Sequence, residues 1–250
     1  MTKRVAIMQP YFFPYIGYFQ LIACVDQFVI YDNIKYTKKG WINRNRMLGA
    51  KGPVTFSLPL KQASDHLNIV ERTVAADFDA NKFLRRLRAA YAGAPYYAET
   101  IKLIERVVRY DDRNLFNFIA NSLSETSSFL GLTTPFITSS TIEHCSSLKG
   151  QDRVVAICSA LDADIYINPQ NGVALYDEEA FAKRSIDLQF IFPETSAYEQ
   201  GRRPFVENLS IIDVMMFNSV KHIREIMISQ FRLVGATELS QKKSANNRAD

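Results

Sequence analysis

Two short apolar runs near the amino terminus constrain the fold more than any other feature of the sequence. Val5–Met8 and Phe28–Tyr31 are rich in β-branched and aromatic residues, and polar residues or proline follow each, as is typical of buried strands. The segment between them, Gly17–Val25, has apolar residues at helical spacing. A strand, a helix and a second strand in this order form a βαβ unit with parallel strands and a right-handed crossover. We therefore expect a parallel sheet that begins with these residues.

The rest of the sequence continues the alternation of strands and helices, with one interruption. Strands are predicted at residues 54–58, 69–74, 135–138, 165–167 and 188–192, and helices at 152–161 and 209–228. Around residues 79–131 the apolar period is that of three consecutive helices, which predicts a helical insertion between two halves of the sheet. The predicted fold class is α/β, a Rossmann-like mostly parallel sheet flanked by helices. We expect one domain over residues 1–234 and a polar tail over 235–250.

Composition limits the classes of protein to which the chain can belong. With 47% hydrophobic and 22% charged residues among 250, the sequence is that of a globular protein and not of a disordered or fibrous one. No apolar stretch approaches the roughly 18 to 20 residues that span a bilayer, and Pro10 interrupts the first apolar run, so we expect neither a membrane span nor a signal peptide. Three widely spaced cysteines form no disulfide framework or metal motif, which favours the reduced cytoplasm and predicts no metal site.

The excess of positive charge is concentrated in one segment. Lys and Arg number 30 against 26 Asp and Glu, a net charge of +4 that is too small for a general nucleic-acid binder. Residues 35–51 contain six cations and no acid, so the remainder of the chain is mildly acidic. The six cations are Lys35, Lys38, Lys39, Arg44, Arg46 and Lys51. This basic segment favours a small phosphorylated ligand over a nucleic acid.

The loop after the first predicted strand holds the first group of candidate binding residues. Ligands of parallel sheets bind beyond the carboxyl ends of the strands, and the amino end of a helix attracts phosphate or carboxylate. Two prolines stiffen this loop, and it is more aromatic than a solvent-exposed turn. The candidates are Gln9, Tyr11, Tyr15, Gly17 and Tyr18. The alternative is a rigid aromatic turn that fills the core.

The basic segment after the second predicted strand supplies the second group. Arginine and lysine pair with phosphates, asparagine reads hydroxyls or amides, and the single tryptophan offers a flat face to a sugar or a base. The predicted ligand contacts are phosphate binding by Lys38, Lys39, Arg44 and Arg46, stacking by Trp41, and polar contacts by Asn43 and Asn45. A cationic loop that is simply solvated is the alternative.

Residues in the second half of the sequence predict the other wall of a cleft. Lys149 precedes the helix at 152–161, and the strand at 165–167 leads into a polar loop. The residues of interest there are Asn168, Asn171 and Tyr176. Ordinary turn chemistry is the alternative explanation.

Three residues are candidates for a general base. They are His66, His144 and Asp32, each in a loop-like stretch or at a strand end. Imidazole and carboxylate are the side chains that most often accept protons in catalysis. Nothing in the sequence chooses among the three.

The amino-terminal motif resembles that of the WbqC-like protein family. The residues that match are Gln9, Pro10, Pro14, Tyr15, Gly17, Tyr18, Asp26, Asp32, Trp41, Arg44 and Asn45. The segments KGQDR at 149–153 and LSIIDVMMFN at 209–218 resemble later parts of the family pattern. The resemblance covers about residues 4–228 and implies a role in the biosynthesis of bacterial O-antigen, the sugar chain of lipopolysaccharide, or of another surface glycan.

A more distant likeness is to the HxGH nucleotidylyltransferases, whose two histidines steady phosphates during adenylyl transfer. Tyr15 and Tyr18 occupy the two histidine positions in this sequence. The likeness therefore supports the fold and argues against adenylyl transfer.

The residues and the resemblance together predict a cytoplasmic transferase that acts on a nucleotide-linked amino sugar. The expected step is N-acylation, with a coenzyme A thioester or an acyl carrier protein as the acyl donor. We expect no metal and no nucleic-acid partner, and a homodimer is left open. One alternative is a non-catalytic protein that binds a nucleotide sugar or glycan precursor. Another is a metal-independent glycosyltransferase, which needs no DxD motif.

Overall fold

The protein is built around a six-stranded sheet, and a computed structural model describes residues 2–143, 147–201 and 204–239. The strands, in chain order, are β1 (Arg4–Met8), β2 (Gln27–Ile30), β3 (Arg44–Gly49), β4 (Gly52–Ser57), β5 (Phe136–Thr138), β6 (Ile165–Pro169), β7 (Asp187–Pro193) and β8 (Phe231–Gly235). The helices are α1 (Ile16–Ala23), α2 (Ala80–Tyr91), α3 (Tyr97–Val108), α4 (Leu115–Phe129), α5 (Gly150–Ala160), α6 (Glu178–Ala182), α7 (Ile211–Phe217) and α8 (Val220–Glu225).

The strand order of the main sheet is β5-β2-β1-β6-β7-β8, and the first five strands in this order are parallel. β8 runs antiparallel to β7 at the edge. The chain builds the sheet outwards from β1 through β2 and β5, and then builds it in the other direction through β6 and β7. This reversal beside β1 is typical of doubly wound α/β folds and confirms the predicted Rossmann-like architecture.

Apolar side chains on both faces of the central strands hold the sheet between two hydrophobic cores. In β1, Ala6 belongs to the larger core, whereas Val5 and Ile7 belong to the smaller one. β2 alternates in the same way, with Phe28 in the larger core and Val29 in the smaller. Strands that are buried on both faces require continuous apolar sequence, and this makes both runs recognisable as strands.

The predicted helical insertion is confirmed as α2, α3 and α4, which follow one another between β4 and β5. Their buried apolar side chains, among them Leu87, Ile104 and Phe118, belong to the larger core. The side chains of Asp79 and Asn114 cap the starts of α2 and α4 by accepting hydrogen bonds from main-chain N–H groups. After α4 the chain returns to the sheet, where β5 pairs with β2.

The basic segment is not the loop that the sequence predicts, because part of it is a strand. Its residues 44–49 form β3, which pairs with β4 in an antiparallel hairpin separate from the main sheet. The strand predicted at 54–58 corresponds to β4 and belongs to this hairpin. Met47 and Leu48 of β3 are buried in the larger core. Burial of these apolar side chains favours the strand despite the charged residues around them.

Two further predicted elements are wrong. Residues 69–74 form no strand; Ile69–Glu71 is a 3-10 turn, and Asn68 and Glu71 form its capping box. The helix predicted at 209–228 is divided into α7 and α8. Asn218 has extended backbone angles, and the Ser219 hydroxyl then caps the start of α8 by accepting a main-chain hydrogen bond.

Regular structure extends slightly beyond the predicted end of the domain at residue 234. Gly235 is the last residue of β8, and Ala236 is still buried against the smaller core. Residues 240–250 of the predicted tail lie outside the described residues. None of the helices in the described ranges is long and apolar enough to cross a membrane.

A buried carboxylate ties the insertion, the hairpin and α7 together. Tyr91, Tyr198 and Gln200 each donate a hydrogen bond of 2.8 Å to Asp213. Tyr91 also accepts a hydrogen bond of 2.9 Å from the main-chain N–H of Leu48 in β3. Burial raises the pKa of Asp213, and the three donors oppose this effect by stabilising the charged form.

Replacing Tyr91 by phenylalanine is expected to destabilise the protein by about 1–3 kcal/mol, because the change leaves a buried N–H without an acceptor and Asp213 without one donor. Chemical denaturation followed by circular dichroism measures the free energy of unfolding. Tyr110→Phe is the matched control: its ring packs on Phe118, and its hydroxyl has no hydrogen-bond partner among the described residues. An equal loss of unfolding free energy in the two variants would show that the hydrogen bonds of the Tyr91 hydroxyl do not stabilise the fold.

Candidate functional site

The central strands separate at their carboxyl ends and open a cleft. β1 pairs with β2 from Val5 to Met8, but its pairing with β6 stops where Val5 lies opposite Tyr166. Beyond that point the ends of both strands line a cavity of about 1420 Å³, located where the strand order reverses. Small-molecule pockets typically measure about 300–1,000 Å³, so the cleft has room for a large ligand or for two substrates.

Aromatic side chains from the loop between β1 and α1 form one wall. All five predicted residues of this loop line the cleft, namely Gln9, Tyr11, Tyr15, Gly17 and Tyr18. The Tyr18 hydroxyl donates a hydrogen bond of 2.8 Å to the main-chain oxygen of Gln9, and its ring centre lies 5.7 Å from that of Tyr11. Burial raises the pKa of each of the three tyrosines, so their phenols stay protonated at neutral pH. The phenols of Tyr11 and Tyr15 can donate hydrogen bonds to a ligand, whereas the O–H of Tyr18 is already bonded to Gln9.

The position of Tyr15 depends on Gly17. A Cβ atom at residue 17 would lie 2.4 Å from the Tyr15 ring, and glycine is the residue type without this atom. The ring therefore folds back over the start of α1 and remains half-buried in the wall of the cleft. The glycine of the amino-terminal motif thus shapes the cleft through its neighbour.

Two cations of the basic segment face the cleft. Lys35, just after β2, and Arg46, in β3, are both part of its lining. The Arg46 guanidinium also donates a hydrogen bond of 3.2 Å to the main-chain oxygen of Asn208, another residue of the lining. This bond fixes the direction of the Arg46 side chain.

Three predicted phosphate ligands, Lys38, Lys39 and Arg44, lie outside the lining. Lys38 forms an exposed ion pair of 2.8 Å with Asp65, and Lys39 is exposed. The Arg44 guanidinium donates hydrogen bonds to the main-chain oxygens of Lys39 and Gly40, so it stabilises the turn before β3. Their predicted contacts with phosphate therefore find no support in the structure.

The two asparagines of the basic segment connect neighbouring parts of the fold. Asn43 accepts a hydrogen bond from the Tyr36 hydroxyl and donates one to the main-chain oxygen of Leu58, each of 2.8 Å, and it lies outside the lining. Asn45 is buried, lines the cleft and donates a hydrogen bond of 2.7 Å to the main-chain oxygen of Phe13. Asn45 thereby attaches β3 to the aromatic wall.

The second half of the chain forms the opposite wall. The predicted residues Lys149, Asn168, Asn171 and Tyr176 all line the cleft. Asn168 is buried, and its side-chain oxygen accepts a hydrogen bond of 3.2 Å from Tyr166. Burial raises the pKa of Tyr176, which keeps this phenol protonated as well. The wall therefore presents neutral polar groups beside the positive charge of Lys149.

Neither of the two predicted bases that the structure describes, Asp32 and His66, lines the cleft. Asp32 is buried, and its carboxylate accepts hydrogen bonds from the Ser139 hydroxyl at 2.8 Å and the Ser140 N–H at 3.0 Å. These bonds join the ends of β2 and β5, and Asp32 lies outside the lining. His66 is exposed and also outside the lining. His144 lies outside the described residues.

The charge of the lining is strongly positive. Its cations are Lys35, Arg46, Lys149 and Arg153. Among the described lining residues the single carboxylate is that of Glu207, which is exposed, and none is a histidine. The cleft therefore attracts anions, and its described lining offers few groups for proton transfer.

The predicted site residues lack a cation of the lining and its hydrogen-bond partner. Arg153 lies in the KGQDR segment, and Asn33 follows the end of β2; both line the cleft and contact each other. The position of Arg153 in the sequence is itself a signal that could have identified it. Positive charge is unfavourable near the amino end of a helix such as α5. A residue that opposes the helix dipole is a candidate for a role outside the helix.

Exposed apolar side chains border the cleft. Trp41 is 46% exposed, Leu175 is 70% exposed and Leu148 is also exposed, and all three belong to the lining. Trp41 is on the side of the basic segment, and the two leucines are on the side of α5 and β6. A ligand with an apolar part would bury these surfaces on binding.

Gly17→Ala is expected to displace the Tyr15 ring from the wall while the fold stays intact, because the ring is the flexible end of a side chain. Tetranitromethane modifies exposed phenols in their ionised form, so nitration of Tyr15, mapped by peptide mass spectrometry, should become severalfold faster. Gly93→Ala is the control, because a Cβ atom at residue 93 would meet nothing within 4 Å. Unchanged Tyr15 nitration in Gly17→Ala would show that the glycine does not hold the ring.

Comparison with known proteins places most of the chain in one family. Residues 9–225 match the family described as the WbqC-like protein family. The uncharacterized protein Rv1507c of Mycobacterium tuberculosis is 30% identical over 219 residues, which cover 86% of this chain and 94% of that protein. The matched region includes both walls of the cleft. The chain belongs to the WbqC-like protein family.

Proposed function

We propose that this protein is a transferase that N-acylates a nucleotide-linked amino sugar during the assembly of a surface-glycan precursor such as O-antigen. The observation that supports the proposal most strongly is the cleft where β1 and β6 separate, with four cations and one carboxylate among its described lining residues. A nucleotide-linked sugar has a diphosphate that matches this charge. The proposal implies a cytoplasmic protein, because nucleotide sugars are made there.

The two walls suit the remaining parts of a nucleotide sugar. Tyr11 and Tyr15 offer half-buried aromatic surface, and Trp41 offers an exposed indole, against which a base or a sugar ring can pack. Asn45 and Asn168 place carboxamides in the lining that can contact sugar hydroxyls. The aromatic and polar groups therefore complement the cations.

The size and the border of the cleft support a second substrate. A volume of about 1420 Å³ exceeds what one small ligand fills. Trp41, Leu148 and Leu175 give the border an apolar surface that suits the acyl and pantetheine chains of a coenzyme A thioester or an acyl carrier protein. In the proposed step the sugar amine attacks the thioester carbonyl, the C–S bond breaks, and the proton lost by nitrogen ends on the thiol.

Among the described lining residues, Glu207 has the carboxylate that can accept this proton from nitrogen before the proton reaches the thiol. Glu207→Gln should therefore lower the turnover number without weakening the affinity for the nucleotide sugar, because the substitution removes negative charge from the cleft. Steady-state kinetics and titration of the nucleotide sugar measure the two effects separately.

The scarcity of proton acceptors in the described lining favours a second candidate, a non-catalytic protein that binds a nucleotide sugar or another glycan precursor.

Incubation with a panel of nucleoside-diphosphate amino sugars and acyl-coenzyme A donors tests the proposal, with mass spectrometry of the products. We expect one sugar to gain the mass of the acyl group while an equal amount of free thiol appears. Arg46→Met should weaken binding of that sugar at least tenfold, the effect of losing one charged contact. Lys51→Met is the control, because it removes the same charge from an exposed turn.

Two other outcomes would replace the proposal. Binding of a nucleotide sugar without product across the panel would identify the non-catalytic alternative. Release of free nucleotide without acylation would identify glycosyl transfer.

A further inference from the structure

We propose that Arg153 and the amino end of α5 form the phosphate subsite of the cleft and bind the diphosphate of its ligand. The inference deepens the proposed function and rests on it, since it names the residues that hold the anionic part of the nucleotide sugar. It also moves phosphate binding away from the exposed lysines of the basic segment and onto a residue more than a hundred positions later in the sequence.

Arg153 is a buried cation that forms no ion pair within the described part of the chain. Its side chain is buried, with an exposed fraction of 6%, and it lines the cleft. Its guanidinium donates hydrogen bonds to the main-chain oxygen of Asn33, at 3.2 Å, and to the side-chain oxygen of Asn33. The Tyr31 ring lies 5.1 Å from the guanidinium carbon, and Nε has no hydrogen-bond partner in the described ranges. No carboxylate among the described residues forms an ion pair with Arg153.

A buried charge of this kind is energetically unfavourable unless an opposite charge compensates its desolvation. Asn33 and Tyr31 are both neutral. Asn33 accepts hydrogen bonds from two of the five N–H donors of the guanidinium, and the Tyr31 ring lies against one of its faces. Arg153 lines the cleft, so a ligand bound there can supply negative charge that its described neighbours do not. An anionic ligand would therefore complete the environment of Arg153.

The amino end of α5 lies at the same place and attracts the same kind of ligand. Lys149 is the residue that precedes the helix, and its side chain does not cap the free N–H groups of the first turn. Lys149, Gly150 and Gln151 all line the cleft, whereas the acidic Asp152 does not. Gly150 has a φ of +54°, and a Cβ atom there would meet nothing within 4 Å, so the main chain is open to close approach.

The cations on the other wall explain why a diphosphate fits better than a single phosphate. Lys35 and Arg46 line the cleft from the side of β2 and β3, and Arg153 and Lys149 line it from the side of α5. A ligand with two phosphates can neutralise charge on both sides at once. Binding would then join the two halves of the sheet across the gap between β1 and β6.

Isothermal titration with inorganic pyrophosphate, inorganic phosphate and uridine diphosphate tests the subsite. Pyrophosphate should bind the wild-type protein more tightly than phosphate does. Arg153→Met should weaken pyrophosphate binding by about tenfold to a hundredfold, the range for loss of a charged hydrogen-bonding group. The melting temperature of ligand-free Arg153→Met should not fall below that of the wild type, because the substitution removes an uncompensated buried charge.

A second variant keeps Arg153 and supplies the missing charge from the protein itself. Asn33→Asp places a carboxylate against the guanidinium, so it should compete with the ligand and weaken pyrophosphate binding at least tenfold. Lys51→Met is the charge-matched control in an exposed turn and should leave the affinity unchanged. Circular dichroism of each variant verifies that the fold is kept.

The outcomes separate this inference from the proposed function. Pyrophosphate affinities of Arg153→Met and Asn33→Asp within threefold of the wild type would overturn the subsite, even if nucleotide sugars bind and react. Equal affinities for phosphate and pyrophosphate would overturn the diphosphate assignment. Arg153-dependent pyrophosphate binding by a protein that binds no nucleotide sugar would support the subsite and overturn the proposed function.

Discussion

The unequal pairing of β1 with its two neighbours determines where this protein can bind a ligand. Hydrogen bonding to β2 holds β1 from Val5 to Met8, whereas the pairing with β6 ends at Val5. β1 and β6 are therefore adjacent strands whose last residues are not paired with each other. The chain leaves the carboxyl ends of β1 and β6 in opposite directions, so no single connection covers both ends. A cleft remains between them, and its walls come from distant parts of the chain.

The two cores make this cleft a rigid site. Because Ala6 faces one core while Val5 and Ile7 face the other, β1 is fixed on both sides of the sheet up to the edge of the cavity. The hydrogen bond from Asn45 to Phe13 and the contact of Arg153 with Asn33 then attach the hairpin and α5 to the strand ends. Asn45 and Arg153 are thus held in place before a ligand arrives, which lowers the entropic cost of binding to these two side chains.

Sequence reasoning succeeds here where the signal is local and apolar. The runs at Val5–Met8 and Phe28–Tyr31 predict buried parallel strands, and their order predicts a site at their carboxyl ends. It fails where contacts between residues far apart in the sequence determine the position of a side chain. The charges of Lys38 and Arg44 do not reveal their partners. Lys38 forms an ion pair with Asp65, and Arg44 donates a hydrogen bond to the main chain of the turn before β3. The contact between Arg153 and Asn33 joins residues 120 positions apart, and a single sequence holds no trace of that contact.

A crystal structure of the protein with uridine diphosphate tests the central claim most directly. The account predicts both phosphates in the cleft, with oxygen atoms about 3 Å from the Arg153 guanidinium and the N–H groups at the start of α5, and the base or ribose against the tyrosines of the other wall. Phosphates bound at Lys38, Lys39 and Arg44 outside the cleft, with Arg153 unoccupied by any anion, would contradict it.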